Sequence, residues 1–426
     1  MQEIYSTEYR WMMETATKRE KWSWSFYDFA NSAYGSLVVT LLFPVFYREF
    51  IAGGTGRADF FWGLIVSISI ILAALASPII GAIADRAKNK KELLITFTLL
   101  CVLGTGSFFF APKLGLLWTS ILFIATNFAY TSSAIIYDSF LQDVATRHTK
   151  GRVSGLGWGL GYLGGLIATL AFYPLFSAGF AGEHLPKYLL TYPFVALFFL
   201  IFALPAFIWL KSHRHLCTHP LGPLQSIKTA ITSLIQTIKN WRKYKNVLLF
   251  LLTFYLLSDG LNTIFFFTSI YATTTLGLSF SKVALVFIIV QIVGIPATII
   301  SGKLTDKYGA KPVLVWSIIG WIIGVILLLT KPEFGMLMAI GVLIGMVVGS
   351  SQAPARALLA KLIPEEKTCE FFGFNGLASK VSASLGPVIF GAISWATASQ
   401  RWALASVLVF FVGSLFVLRF VKEPST

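Results

Sequence analysis

The sequence predicts an all-α membrane protein with twelve transmembrane helices in two pseudo-symmetric halves of six, and three observations carry that prediction. Of the 426 residues, 56% are hydrophobic and only 12% are charged. The mean hydropathy of +0.74 lies far outside the usage of soluble domains, so water is not the main solvent of this chain. Apolar runs of roughly 20 residues, enough to cross a ~30 Å hydrocarbon core, recur along nearly the whole length. The second set of runs also repeats the polar features of the first, and internal repeats constrain architecture before any motif does.

The first apolar run begins near Trp22, after a polar stretch of mixed charge with no short apolar region and small-residue cleavage site, so helix 1 is expected to be retained. Spans are predicted at 22–48, 60–84, 93–111, 115–141, 153–177 and 188–210, an N-terminal bundle over 22–210. A second set at 247–275, 281–302, 312–330, 334–361, 370–396 and 400–420 makes a C-terminal bundle over 247–420. Residues 1–21 and 421–426 are the N-terminus and the tail. The linker 211–246 is the longest polar connection; residues 211–245 carry seven Lys or Arg. Two readings stay open for it, an amphipathic helix on anionic lipid and a plain solvated linker. The 38 Phe, 12 Trp and 15 Tyr suit lipid-facing and interfacial surfaces.

A formal charge of +15 would suggest nucleic acid in a soluble protein. Its distribution argues otherwise. Of the 34 Lys and Arg, 25 fall in the N-terminus, the even-numbered loops and the C-terminus, seven fall on the other side, and Arg356 and Lys380 lie within spans. By the positive-inside rule both termini are cytoplasmic. Three cysteines, Cys101, Cys217 and Cys369, make no disulfide framework and suggest no metal site.

Three correspondences define the repeat. Asp28 and Asn31 in helix 1 answer Asp259 and Asn262 in helix 7, each pair three residues apart on one helical face. Gly81, Asp85 and Arg86 answer Gly302, Asp306 and Lys307 after the second span of each half. Ser132, Ser133 and Asp138 in helix 4 answer Ser350, Ser351 and Arg356 in helix 10.

An ionisable group within a span costs about 2.5 to 3.5 kcal/mol on insertion scales, so each needs a partner or a wet cavity. Asp259 and Lys380 fall near the midplane. They are expected either to pair as a site for a zwitterion or a proton, or to form a permanent ion pair between two helices. Asp28, Asn31 and Tyr34 make a polar stripe on helix 1, and Asn262 continues the equivalent stripe on helix 7; the alternatives are cavity lining and interhelical hydrogen bonding. Asp138 and Arg356, toward the cytoplasmic ends of their helices, are expected to be structural or gating charges. All five histidines lie outside the predicted spans, so a proton relay in the membrane would use carboxylates.

Gly159, Gly161 and Gly164 match the dinucleotide-binding spacing, but within an apolar span and not at a strand-to-helix turn, so that reading is rejected. The same stretch places Gly151, Gly155 and Gly159, and also Gly157, Gly161 and Gly165, at intervals of four, which lets helix backbones approach closely. No phosphate-binding loop, zinc-protease helix or nucleophile elbow is found, so no enzymatic activity, cofactor or metal is expected, and energy must come from gradients.

Residues 81–91, Gly-Ala-Ile-Ala-Asp85-Arg86-Ala-Lys88-Asn-Lys-Lys, resemble the loop signature of the major facilitator superfamily, and residues 302–311 resemble its second copy. The second copy keeps Gly309, whereas the first has Lys88 where glycine is usual. The resemblance implies that Asp85, Arg86 and Asp306 make cytoplasmic charge contacts that stabilise one state of a transport cycle. A narrower likeness rests on Tyr27-Asp28-Phe-Ala-Asn31-Ser-Ala-Tyr34, on the glycine-rich stretch from Gly151 to Gly165, and on Glu370-Phe-Phe-Gly373. Together they resemble the vacuolar amino-acid effluxer family known from autophagy, with its bacterial members. That likeness implies alternating access and, for the fungal members, export of amino acids such as leucine.

The function expected is therefore secondary transport of small organic solutes. Amino-acid efflux is the leading case, proton coupling a candidate, and the central cavity lies between helices 1, 4, 7 and 10. Alternatives are a lipid or lysolipid flippase, a drug or siderophore exporter, and a non-transporting receptor or scaffold. Expected partners are a small-molecule substrate, membrane lipids and protons, with no nucleic acid. The expected location is a bacterial inner (cell) membrane.

Overall fold

The computed structural model describes residues 16–86, 90–145, 150–211, 245–362 and 384–423. The N-terminal half contains α1 (Lys18–Ile51), α2 (Gly56–Arg86), α3 (Lys90–Ser107), α4 (Ala111–Ser139), α5 (Lys150–Phe176) and α6 (Leu185–Trp209). The C-terminal half contains α7 (Lys245–Thr275), α8 (Phe280–Tyr308), α9 (Ala310–Leu329), α10 (Phe334–Leu362), α11 (Leu385–Thr397) and α12 (Gln400–Phe420). Among the described residues, ten stretches are long and apolar enough to cross a membrane; one of them, Lys90–Ser139, contains both α3 and α4, and the described part of the eleventh span, Leu385–Thr397, is shorter. Most of the predicted linker, and Lys380 with it, lies outside the described residues.

Local chemistry explains the helix ends. Thr17 and Glu20 form a reciprocal capping box at the start of α1, with Glu20 N donating to Thr17 Oγ1 at 3.2 Å and Thr17 N donating to Glu20 Oε2 at 2.7 Å. Near the start of α4 the helix is interrupted at Gly115, whose φ of 70° suits glycine. Gly309 separates α8 from α9 at φ 93°, so the glycine retained in the second signature loop is needed for the turn.

The packing repeats between halves. In the first, α1 lies against α5 and α6, α4 against α2 and α3, and α3 against α6; in the second, α7 lies against α11 and α12, α10 against α8 and α9, and α9 against α12. The halves meet through two related seams, α2 with α11 and α5 with α8. α1 is central, with 83% of its apolar window buried, whereas α8 and α12 bury 28% and 33% of theirs. Large apolar residues such as Trp316 on α9 and Val409 on α12 are largely exposed, as a hydrocarbon-facing surface requires.

Candidate functional site

From Tyr27 to Arg48, α1 is buried at every position except Asp28, Ser32, Gly35 and Ser36. With the buried Trp24, Asp28, Ser32 and Ser36 recur every fourth residue and share one face. They lie against the predicted glycines of α5. A Cβ on Gly157 would come within 2.9 Å of Trp24, one on Gly161 within 2.9 Å of Ser32 Oγ and 3.5 Å of the Asp28 carboxyl carbon, and one on Gly165 within 2.5 Å of Ser36 Oγ. The stripe therefore does more than bring helices together, because it makes room for a row of polar side chains. The tightest backbone approach is at Gly164, where a Cβ would lie 2.1 Å from the Phe29 carbonyl oxygen. The Gly155 environment lies outside the described residues.

Gln291 of α8 reaches this row from the other half. Its Oε1 would lie 2.5 Å from a Cβ on Gly165, it is buried, and its Nε2 has no hydrogen-bond partner among the described residues. The Tyr34 and Ser132 hydroxyls are also buried without a partner. Tyr34 packs on Tyr130 with ring centroids 4.6 Å apart, and the Tyr130 hydroxyl would lie 3.1 Å from a Cβ on Gly35. Asn31 is buried beside them. Such orphaned donors are costly in an apolar interior and mark a place where something else supplies the acceptor.

The repeat in sequence becomes a repeat in space. A Cβ on Gly386 of α11 would meet Thr263 Oγ1 at 2.0 Å and Asp259 Oδ1 at 3.4 Å, so Asp259, Thr263 and Gly386 mirror Asp28, Ser32 and Gly161. One difference matters. Gly386 stands at the start of α11, and its N–H donates to Asp259 Oδ1 at 3.0 Å, an anion at a helix N-terminus. Asn262 turns back on its own helix, Nδ2 donating to Ser258 O at 2.8 Å. Asp138 is exposed at the end of α4, and the side chains of Asp85, Arg86, Asp306 and Arg356 lie outside the described residues.

A second constellation was not anticipated. Asp59 of α2 is fully buried. Its Oδ1 accepts from Arg48 Nε at 2.6 Å, and its Oδ2 accepts from Gln400 Nε2 at 2.9 Å and from the Ser394 hydroxyl. Gln400 Oε1 in turn accepts from the Thr274 and Thr275 hydroxyls, each at 2.6 Å. One carboxylate thus ties α1 and α2 to α7, α11 and α12. Backbones touch around it, since a Cβ on Gly63 would lie 2.2 Å from Pro387 O and one on Gly391 2.7 Å from Asp59 O. Trp62 Nε1 adds a bond to Phe266 O at 2.9 Å.

At the opposite end, three polar contacts lie within the N-terminal half. Lys90 pairs with Asp143 at 2.7 Å, Lys91 Nζ donates to Ile208 O at 3.0 Å, and Trp24 Nε1 donates to Tyr137 O at 3.0 Å. The two halves are thus joined at the Asp59 end, with a polar stripe deeper between them. Sequence reading missed Asp59, Arg48 and Gln400 because each sits at a span boundary and looks like a loop residue. Gln291, a lone amide in an apolar run, was visible there but was passed over in favour of charges.

Two halves related by packing, joined at one end over a buried polar stripe, define a membrane transporter of the major facilitator type. It is not an enzyme. The chain resembles the xylose transporter XylE from E. coli in a partially occluded inward-open conformation, with a TM-score of 0.70 at 17% identity, covering 96% of this chain and 99% of that one. It is 29% identical to an uncharacterized MFS-type transporter, YxiO of Bacillus subtilis (strain 168), over 97% of each chain. It is also 23% identical to autophagy-related protein 22 of Coccidioides immitis (strain RS), over 77% of this chain and 66% of that one. The family model described as "Vacuole effluxer Atg22 like" matches residues 51–425, and the chain belongs to that family.

Proposed function

We propose that this protein exports amino acids or closely related zwitterions by alternating access, with the α1 stripe as the substrate site. The observation that carries the reading is the pairing of opposite chemistries across the halves. Asp28 at Gly161 is an acceptor for an ammonium group, and Gln291, whose Oε1 faces Gly165, carries on the same amide a buried Nε2 donor for a carboxylate. Gly161 and Gly165 are one helical turn apart, about 6 Å, a separation that one α-amino acid with its hydrogen bonds spans. Membership of an effluxer family supports the direction, and the distribution of Lys and Arg supports cytoplasmic termini in a cell membrane. The Asp59 network is then the outer gate, closed here. Asp28 is the proposed proton-coupling carboxylate.

The test is counterflow of a labelled amino-acid panel in proteoliposomes, with and without a pH gradient, for the wild type and Gln291→Leu. The expected result is saturable flux whose KM rises about tenfold in the variant, the worth of one hydrogen bond to a charged group, with thermal melting unchanged. Absence of flux for every amino acid under both conditions, in folded protein, would remove the amino-acid reading. For the gate, Asp59→Ala leaves Arg48 with Glu49 as its remaining carboxylate partner and strips Gln400 and Ser394 of their acceptor, at a cost of about 1–3 kcal/mol to the closed state. A cysteine at Ser36 should then become accessible to an impermeant thiol reagent from the Asp59 side; unchanged labelling would show that this network is not the gate.

A further inference from the structure

The tail of the chain is built into a basic groove that the transport site does not use. The groove, of about 810 Å³, lies between the start of α7, the start of α9 and the end of α12, and its charged lining is Lys245, Lys311, Arg419, Lys422 and Glu423. The Glu423 carboxylate accepts from Ala310 N at 2.9 Å and Lys311 N at 2.8 Å. Lys311 Nζ is held by Val421 O at 2.5 Å and Arg419 O at 3.2 Å. Those carbonyls fix the ammonium without cancelling its charge. Lys422 N donates to Asn246 Oδ1 at 2.7 Å, and Asn246 Nδ2 donates back to Lys422 O at 2.6 Å. Four cations and one carboxylate thus line a cleft whose floor is pinned to α7 and α9.

The surface beside the groove faces hydrocarbon. Phe416 and Phe420, one turn apart on α12, are 62% and 53% exposed and touch each other with ring centroids 5.3 Å apart. Phe420 also lines the groove with Arg419, so the two rings continue from the groove along the exposed side of α12. Basic clefts between spans bind phosphate-bearing headgroups, and acyl chains cover exposed aromatics nearby.

We infer that this groove binds an anionic phospholipid, the phosphate held by Lys245, Arg419 and Lys422 with Lys311 behind them, and an acyl chain lying on Phe416 and Phe420. The phosphate is shared chemistry with free inorganic phosphate, and the apolar rings favour the lipid. The proposal does not depend on what is transported.

The experiment uses full-length protein, delipidated in detergent and titrated separately with dioleoyl-phosphatidylglycerol, dioleoyl-phosphatidylcholine and inorganic phosphate. Retained lipid is read by native mass spectrometry, and stability by thermal melting. The test variant is Lys245→Gln/Arg419→Gln/Lys422→Gln, which leaves Lys311 and Glu423 to hold the tail. The wild type should retain phosphatidylglycerol in preference to phosphatidylcholine, and melting should rise with the former only. Each neutralised cation should weaken retention about fivefold, while the melting of the lipid-free variant matches the wild type. A second variant, Phe416→Ser/Phe420→Ser, should weaken retention with all cations in place. Equal retention of phosphatidylglycerol by the wild type and the cation variant would overturn the site. Stabilisation by inorganic phosphate equal to that by phosphatidylglycerol would overturn the lipid assignment.

Discussion

Asp28 and Asp259 occupy equivalent places in the two halves, yet their surroundings differ. Each stands four residues before a hydroxyl, Ser32 or Thr263, and each faces a glycine of the neighbouring helix, Gly161 or Gly386. The neighbour decides the outcome. α5 runs through Gly161 as continuous helix, so that backbone N–H is engaged within the helix, and Asp28 lies on the half-buried polar stripe. α11 begins one residue before Gly386, so that N–H is open, and the buried Asp259 takes it. A duplicated carboxylate thus accepts from a helix N-terminus in one half and lies along a polar stripe in the other.

Substitutions at the glycines and carboxylates break this comparison in order of size. Gly386→Val should cost the most, about 3 kcal/mol, because its first added carbon already meets Thr263 Oγ1 at 2.0 Å and the Asp259 carbonyl oxygen at 2.9 Å, and carbonyl backbone cannot swing aside. Thermal melting in detergent reads it; a wild-type melting temperature would mean that α11 does not start against α7 as described. Asp259→Ala should cost about 1.5–3 kcal/mol by stranding the Gly386 N–H, whereas Asp259→Asn keeps an acceptor oxygen and should recover most of the loss. Equal damage from both would point to a need for the charge itself.

Gly161→Ala should cost under about 1 kcal/mol, since the nearest atom is the Ser32 hydroxyl at 2.9 Å, which can rotate away. Its effect should appear in substrate KM and not in melting. Smallest in stability is Asp28→Asn, within about 0.5 kcal/mol of wild type, but with flux lost in counterflow. A stable, fully active Asp28→Asn would show that the two carboxylates are alike after all, both structural.

Much of this was legible in the sequence. Apart from the eleventh span, of which 370–383 lie outside the described residues, the apolar runs located the helices to within several residues, because hydrocarbon thickness sets a length that a linear chain must meet. The α5 glycines and the Asp28 and Asp259 repeat could be read because helical periodicity turns spacing into a shared face. A second glycine row, Gly341, Gly345 and Gly349 on α10, was equally readable and was overlooked; Gly345 and Gly349 press closely on α8. Asn262, read as a continuation of the polar stripe, donates Nδ2 to the carbonyl four residues back, a local bond that spacing alone does not reveal.

By itself, the sequence determined that the chain lives in a membrane, that it folds as two related bundles, and which helix faces are polar. These follow from composition, run length and spacing, all local along the chain. Only the tertiary structure decided what each polar group does. The Asp59 network joins residues 341 positions apart, Gln291 reaches a stripe built in the other half, and Asp259 accepts from Gly386 N because α11 begins beside it. Hydrogen-bond partners are set by which backbones approach, and in a pseudo-symmetric bundle that is a property of the packed halves, which no single stretch of chain carries.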